Sequence, residues 1–317
     1  MVNRNIALPP LGSPSWPAFM PTSELSHLQL EYAGASDVGM MRDNNEDAWW
    51  VGDMERPAVG SQDASIGNLP QANGAWLGVC DGLGGANAGE VASRLAVTET
   101  HANLCTLARG DISIAQAHES LVKTNQAINR EARANLSWTG MGSTISFIWI
   151  EAGGALLGQV GDSRIYRLRD KRLKELSPDH SPFGRLRQSG NITESEARSH
   201  PSRHVIDQCL GGDDGSLTPD CLPVDLKLGD VLLFCSDGLT DGVCDAEIGS
   251  MMGEIADRLR QPADTARLFI KSANRLSGRD QRDRDRRPRS GSDLARSREG
   301  HRDRCPYLNV DRALWAR

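Results

Sequence analysis

This 317-residue chain has no CxxC pair and no cluster of His and Cys that could form a soft-metal site. Its seven cysteines (80, 105, 209, 221, 235, 244 and 305) are odd in number and scattered, which excludes a disulfide framework. Cys80 and Cys235 lie inside apolar, strand-like runs, so reduced buried thiols and a reducing compartment are expected. No apolar core of signal-peptide length occurs in the proline-rich start, and no run reaches membrane-spanning length. The expected location is therefore cytoplasmic. Aromatic residues are few at 5%, and no internal repeat stands out. Lysine is absent from residue 275 onward, where 13 Arg oppose 7 Asp or Glu. That stretch carries +6, so the preceding body carries −12 of the net −6. An acidic body suits cation binding and argues against a nucleic-acid platform.

What is present is a set of aspartates where apolar runs meet glycine turns. Asp81 lies in Val79-Cys80-Asp81-Gly82-Leu83-Gly84-Gly85, and Asp162 in Val160-Gly161-Asp162-Ser163-Arg164. Asp237 lies in Phe234-Cys235-Ser236-Asp237-Gly238-Leu239-Thr240-Asp241, and Asp280 in Ser277-Gly278-Arg279-Asp280. Asp47 closes Arg42-Asp43-Asn44-Asn45-Glu46-Asp47. Hard divalent cations such as Mg²⁺ and Mn²⁺ want oxygen ligands and retain waters. Carboxylates lifted to strand ends would supply such a site, so the chemistry to seek is metal-activated water.

The rest of the chain organises around these positions. Residues 1–28 hold five prolines and read as a flexible arm. A domain starts near Leu28 and runs to Asp280, with residues 52–73 read as a long hairpin loop. Helical spacing covers Gly89–Thr106, Ile112–Ala134, Ile248–Leu259 and Ala263–Leu276. Strand patterns cover Ala75–Cys80, Ser143–Ile150, Gly154–Val160, Ser163–Leu168 and Asp230–Cys235. The expected fold class is α+β, a four-layer α-β-β-α sandwich with two central, mostly antiparallel sheets. Ser181–Asp207 is charged and reads as a helical surface insertion.

With those motifs in order, the chain resembles the metal-dependent protein phosphatases of the 2C type, the PPM family, in their bacterial serine/threonine form. The resemblance spans Asp37 to Asp280 and adds Gly39-x-x-Arg42-x-x-Asn45-Glu46-Asp47 and Gly142-Ser143-Thr144 to the motifs above. It implies that Asp81 bridges two metals ~3.5–4 Å apart, Mn²⁺ or Mg²⁺. Gly82 would add a carbonyl, Asp237 and Asp280 would complete one metal's shell, and Glu46 and Asp47 would hold waters. Asp162 and Asp241 match ligands of a third, weaker metal, and Arg42 would grip the substrate phosphate. The segment 181–207 matches the family's mobile flap. Implied partners are phosphorylated proteins and a cognate Ser/Thr kinase, with a monomeric enzyme and no nucleic acid or membrane involved. Leu83 stands where animal members carry a histidine proposed as general acid.

Plainer readings stand beside these. Asp162 could simply make its hairpin turn, Asp241 could cap a helix, and Arg42 could form a surface ion pair. Ser143 and Thr144 read as strand residues, and His180 as structural rather than acid–base. The tail is the open question. Gln281-Arg282-Asp283-Arg284-Asp285-Arg286-Arg287 replaces the Asn and apolar strand that the family places after Asp280. It reads either as a basic, disordered tail or as a frame change. CAA CGT GAC CGT GAT CGT CGT encodes it, and dropping the first base gives Asn-Val-Thr-Val-Ile-Val, a β-branched strand. The functional rival to a phosphatase is an inactive or folding-impaired relative that only binds metal or phosphoprotein.

Overall fold

The computed structural model describes residues 29–38, 44–53, 57–60, 65–70, 75–83, 88–107, 113–151, 154–212, 216–285 and 313–316. The expected arm at 1–28 lies outside them, as does most of the tail. The chain runs β1 (Gln29–Ala35), β2 (Ala48–Asp53), β3 (Pro57–Gly60), β4 (Ser65–Pro70), β5 (Ala75–Cys80) and β6 (Gly82–Leu83). Helices α1 (Ala88–Leu107) and α2 (Ile114–Ala134) follow, then β7 (Gly142–Ser143), β8 (Ile145–Glu151), β9 (Gly154–Val160), β10 (Arg164–Arg169) and β11 (Arg172–Glu175). Short helices α3 (Pro182–Gln188) and α4 (Glu194–Ser199) lead to β12 (Leu210–Gly211), β13 (Asp220–Val224) and β14 (Val231–Cys235). The last elements are α5 (Asp237–Thr240), α6 (Asp245–Ala256), α7 (Pro262–Asp285) and β15 (Ala313–Ala316).

Two six-stranded sheets carry the fold, ordered β11-β10-β14-β15-β1-β4 and β13-β9-β8-β5-β2-β3, with a small sheet β12-β7-β6. Every registered pairing is antiparallel. Alternation explains why strands that read as continuous apolar runs can lie in these sheets. In β5, Trp76 joins the cluster formed with α1 and α2, where Leu104, Leu121 and Ile128 are fully buried. Its neighbours Leu77 and Val79 join another cluster with Leu30, Leu232 and Phe234 of the other sheet. In β14 the same two-residue period sends Leu233 to a third cluster, with Ile248 and Met252 of α6 and Phe269 of α7. Both faces of each sheet are thus dry. Helix α2 begins at a capping box, Ser113 with Gln116, which satisfies backbone donors that the first turn leaves orphaned.

Three elements differ from the sequence reading. The loop expected over 52–73 contains β3 and β4, and they belong to different sheets. The apolar residues Val59, Ile66 and Leu69 suffice for short edge strands despite the flanking Gly and Pro. Helix α7, expected to end near Leu276, continues through Asp280 to Asp285. Arg and Gln form helix readily, the Asp between them are tolerated, and no proline interrupts before Pro288. Asp280 is therefore a helical residue, not the end of an apolar strand. Finally, the segment read as a solvated tail supplies β15, the strand between β1 and β14. Ala313-Leu314-Trp315-Ala316 is its one apolar run, and two strand edges inside a sheet must find a partner.

β15 makes four registered pairs with each neighbour. At ~1 kcal/mol per backbone hydrogen bond, a chain truncated after Asp285 should melt on the order of 10 °C lower. Calorimetry of both chains checks this, and an unchanged midpoint would remove β15 from the sheet.

Candidate acidic site at the strand ends

Asp81 is held by its backbone. Its N–H donates to Thr144 Oγ1 at 2.8 Å, and its carbonyl accepts from Thr144 N at 2.8 Å and Ser143 Oγ at 3.1 Å. Gly82 N donates to the Glu46 carbonyl at 3.1 Å. A Cβ at Gly82 would lie 2.1 Å from Gly89 O and 2.4 Å from Glu46 O, so glycine is required by close backbone approach. Asp47 follows directly, with its Oδ2 accepting from Ser236 Oγ at 3.0 Å. That bond joins the Glu46-Asp47 segment to the residue before Asp237.

The Asp162 turn is fixed from three sides. Gly161 has φ +100°, and a Cβ there would sit 2.5 Å from Thr144 Cγ2. Its carbonyl accepts from Gln159 Nε2 and His180 N, each at 3.0 Å, and its N–H donates to His180 Nδ1 at 3.2 Å. Ser163 Oγ lies 2.8 Å from Thr144 Oγ1. Thr144 therefore touches both acidic loops, a role the strand reading of that residue did not anticipate.

Asp237 begins α5 and Asp241 ends it, with Asp241 N donating to Asp237 O at 2.8 Å. His204 Nδ1 lies 3.6 Å from the Oδ2 atoms of both. Burial first, then the nearby Asp237 charge, pushes the Asp241 carboxyl up to about 7. Asp162 is also raised well above the usual carboxylate range by burial, then by Asp237, Asp179 and Asp81. His204 is raised by its hydrogen bond to Asp237, against a smaller opposing effect of burial. Asp162 thus feels the charges of Asp237, Asp179 and Asp81, and Asp241 that of Asp237, although these acids come from widely separated segments. Among the described residues, His204, Asp237 and Asp241 place donor atoms within 4.8 Å of one another.

A small cavity of about 30 Å³ opens among Asp162, Asp237, Asp241, Arg198 and Arg203. Its outer wall is the 181–207 segment, a helix pair with a firmly seated inner face. Gly184 packs so closely on Asp179 that a Cβ would fall 1.9 Å from that carboxyl carbon. Arg187 pairs with Glu175 at 2.7 Å, Glu194 accepts from Asp245 N at 3.0 Å, and Arg198 Nη2 donates to the Asp241 carbonyl at 2.7 Å. No spacing or motif separates His204 and Arg198 from the other charged residues of the segment. Of the remaining expected site residues, Arg42 lies outside the described residues, and Asp280 is placed on α7.

Replacing Thr144 with Val keeps its shape and strands the buried Asp81 N–H, so stability should fall by about 1–3 kcal/mol in urea titration. Both raised carboxyls bind protons more tightly folded than unfolded. Their stabilisation is full below the unfolded carboxylate range near pH ~4 and is lost as pH rises, for Asp241 through about 7 and for Asp162 in the same direction. The urea midpoint of chelator-treated protein should therefore decline from pH 5 to pH 8, and a flat profile would contradict the crowding of these acids.

Known proteins resemble this chain along most of its length. The family model described as protein phosphatase 2C matches residues 60–284. The serine/threonine phosphatase stp of Listeria innocua is 34% identical over 209 residues, 64% of this chain and 79% of that protein. The serine/threonine protein phosphatase PstP of Mycobacterium tuberculosis is 32% identical over 253 residues, 80% of this chain, which spans 44% of PstP. A solved structure of a PstP catalytic domain in complex with 2 manganese ions superposes with TM-score 0.61 at 25% identity, covering 91% of this chain and 98% of that one. The chain belongs to the protein phosphatase 2C family.

Proposed function

We propose that this protein is a metal-dependent phosphatase that hydrolyses phosphoserine and phosphothreonine in proteins. The observation that carries the reading is the convergence of Asp81, Asp162, Asp237 and Asp241, with the Asp162 and Asp241 carboxyls raised by burial and mutual repulsion. Crowded carboxylates of this kind, only partly offset by Arg203 and His204, fit hard divalent cations, and the aspartates offer only oxygen. The matching PstP catalytic domain holds manganese, which supports Mn²⁺ or Mg²⁺ here. Asp81, the Gly82 carbonyl, Asp237 and Asp280 would hold the cation pair, with Glu46 and Asp47 on its water side and Asp162 and Asp241 toward a third. When bound, the cations would supply a nucleophilic water at neutral pH and neutralise phosphoryl charge.

The chain's own residues do the holding. Thr144 and Ser143 fix the Asp81 backbone, and Ser236 orients the Asp47 carboxylate. Arg42 would grip the substrate phosphate through its guanidinium fork. The 181–207 segment, tied to Asp241 by Arg198, would shape access for a protein substrate rather than take part in the chemistry. The catalytic domain would span 29–280 in four layers, helix–sheet–sheet–helix, as a cytoplasmic monomer acting opposite a Ser/Thr kinase.

One observation favours the rival reading of a binding-only relative: Asp280 sits in α7 and is followed by Gln281, where the family has a strand. A ligand misplaced by ~1 Å can cost about 100-fold in rate. The deciding experiment is Mn²⁺-dependent phosphate release from a phosphothreonine peptide, run beside a chain restored to Asn-Val-Thr-Val-Ile-Val after Asp280. Activity in both is expected if the site tolerates the altered tail. Activity only in the restored chain would make this sequence a broken copy of the enzyme. Asp81→Ala and Asp237→Ala should each abolish turnover with the fold kept, and near-normal rates would sink the cation assignment.

A further inference from the structure

We propose that His180 is a positioning residue that clamps the Asp162 turn, so that its carboxylate stays aimed at the cation site. The proposal rests on the reading of Asp162 as a cation-binding carboxylate and adds a group that never touches the cation. His180 is 4% exposed and reaches residue 161 twice. Its backbone N–H donates to the Gly161 carbonyl at 3.0 Å, and its Nδ1 accepts the Gly161 N–H at 3.2 Å. The amide of Gln208 also faces Nδ1, at 3.5 Å.

These bonds assign the imidazole. A ring nitrogen that accepts an amide N–H carries no hydrogen, so the proton sits on Nε2. Nε2 then donates to Asp220 Oδ2 at 2.9 Å. Both ring nitrogens are engaged, and neither is free to shuttle a proton for the reaction. The relay runs from Asp220 through the ring to the Gly161 amide, one residue before Asp162.

The clamp has a load to bear. Asp162 lines the same cavity as Asp179, Asp237 and Asp241, so its turn must be held among like charges. Gly161 adopts φ +100°, and glycine's backbone freedom leaves the direction of the turn to its hydrogen bonds. Groups that orient a metal ligand without touching the metal typically change affinity ~10–100-fold.

The test is Mn²⁺ binding to the full chain, with free Mn²⁺ followed by electron paramagnetic resonance. His180→Phe should weaken the weakest class of bound Mn²⁺ at least ~10-fold and leave tighter binding unchanged. His180→Asn, which keeps an acceptor near the Nδ1 position, should recover most of that loss. Asp220→Ala removes the half-exposed partner of Nε2 and should cause a smaller loss in the same class. Combined with Asp162→Asn, His180→Phe should add nothing, because both act through one carboxylate. A His180→Phe or Asp220→Ala chain that is less stable yet binds every Mn²⁺ normally would overturn the proposal, as would additive losses. If Asp162→Asn alone leaves binding unchanged, the reading of Asp162 itself falls, and the clamp with it.

Discussion

Asp81, Asp162, Asp237 and Asp241 repel one another, and the fold must hold them together before any cation arrives to compensate. The holding is done by backbone and neutral side chains rather than by opposing charge alone. Thr144 accepts the Asp81 amide and meets Ser163 beyond Asp162, so one hydroxyl spans two acidic loops. Glycines at 82 and 161 let backbone segments approach where any Cβ would collide. Neutral donors and close packing can crowd acids without quenching them, which is what a cation site needs.

The sheets make this possible by being rigid on both faces. Residues one apart in β5 and β14 serve different apolar clusters, so neither strand can slip register without turning two cores inside out. The loops that leave Cys80, Val160 and Cys235 thus start from fixed points. The arginines of the 181–207 segment complete the enclosure by binding acids of the body, as Arg187 does with Glu175. Buried pairs of this kind specify where the segment sits more than they stabilise it.

Much of this was legible in the sequence, for definite reasons. An apolar run ending in Asp-Gly or Gly-Asp announces a strand end and a turn within a few residues, and Asp81, Asp162 and Asp237 all follow that pattern. The helices α1 and α2 declared themselves by their apolar spacing. The supporting groups did not. Thr144 acts on a residue 63 positions away and His180 on one 19 away, and a bond of that span leaves no periodic trace. The extension of α7 past Leu276 leaves no apolar period to read, because Ser277 to Asp285 holds no apolar side chain. The edge strands β3 and β4 were hidden by the Gly and Pro that surround them.

The core beneath α1 has an optical consequence. Trp50 and Trp76 meet in a tilted pair at 4.9 Å between ring centroids, Trp149 lies 6.2 Å from Trp76, and His101 stacks on Trp76 at 4.8 Å. The indole N–H groups of Trp50 and Trp76 are buried without an acceptor. Their emission therefore arises from a dry, coupled cluster that exchanges excitation internally and senses little of the solvent. Light from these three rings reports whether the cluster beneath the helices is assembled.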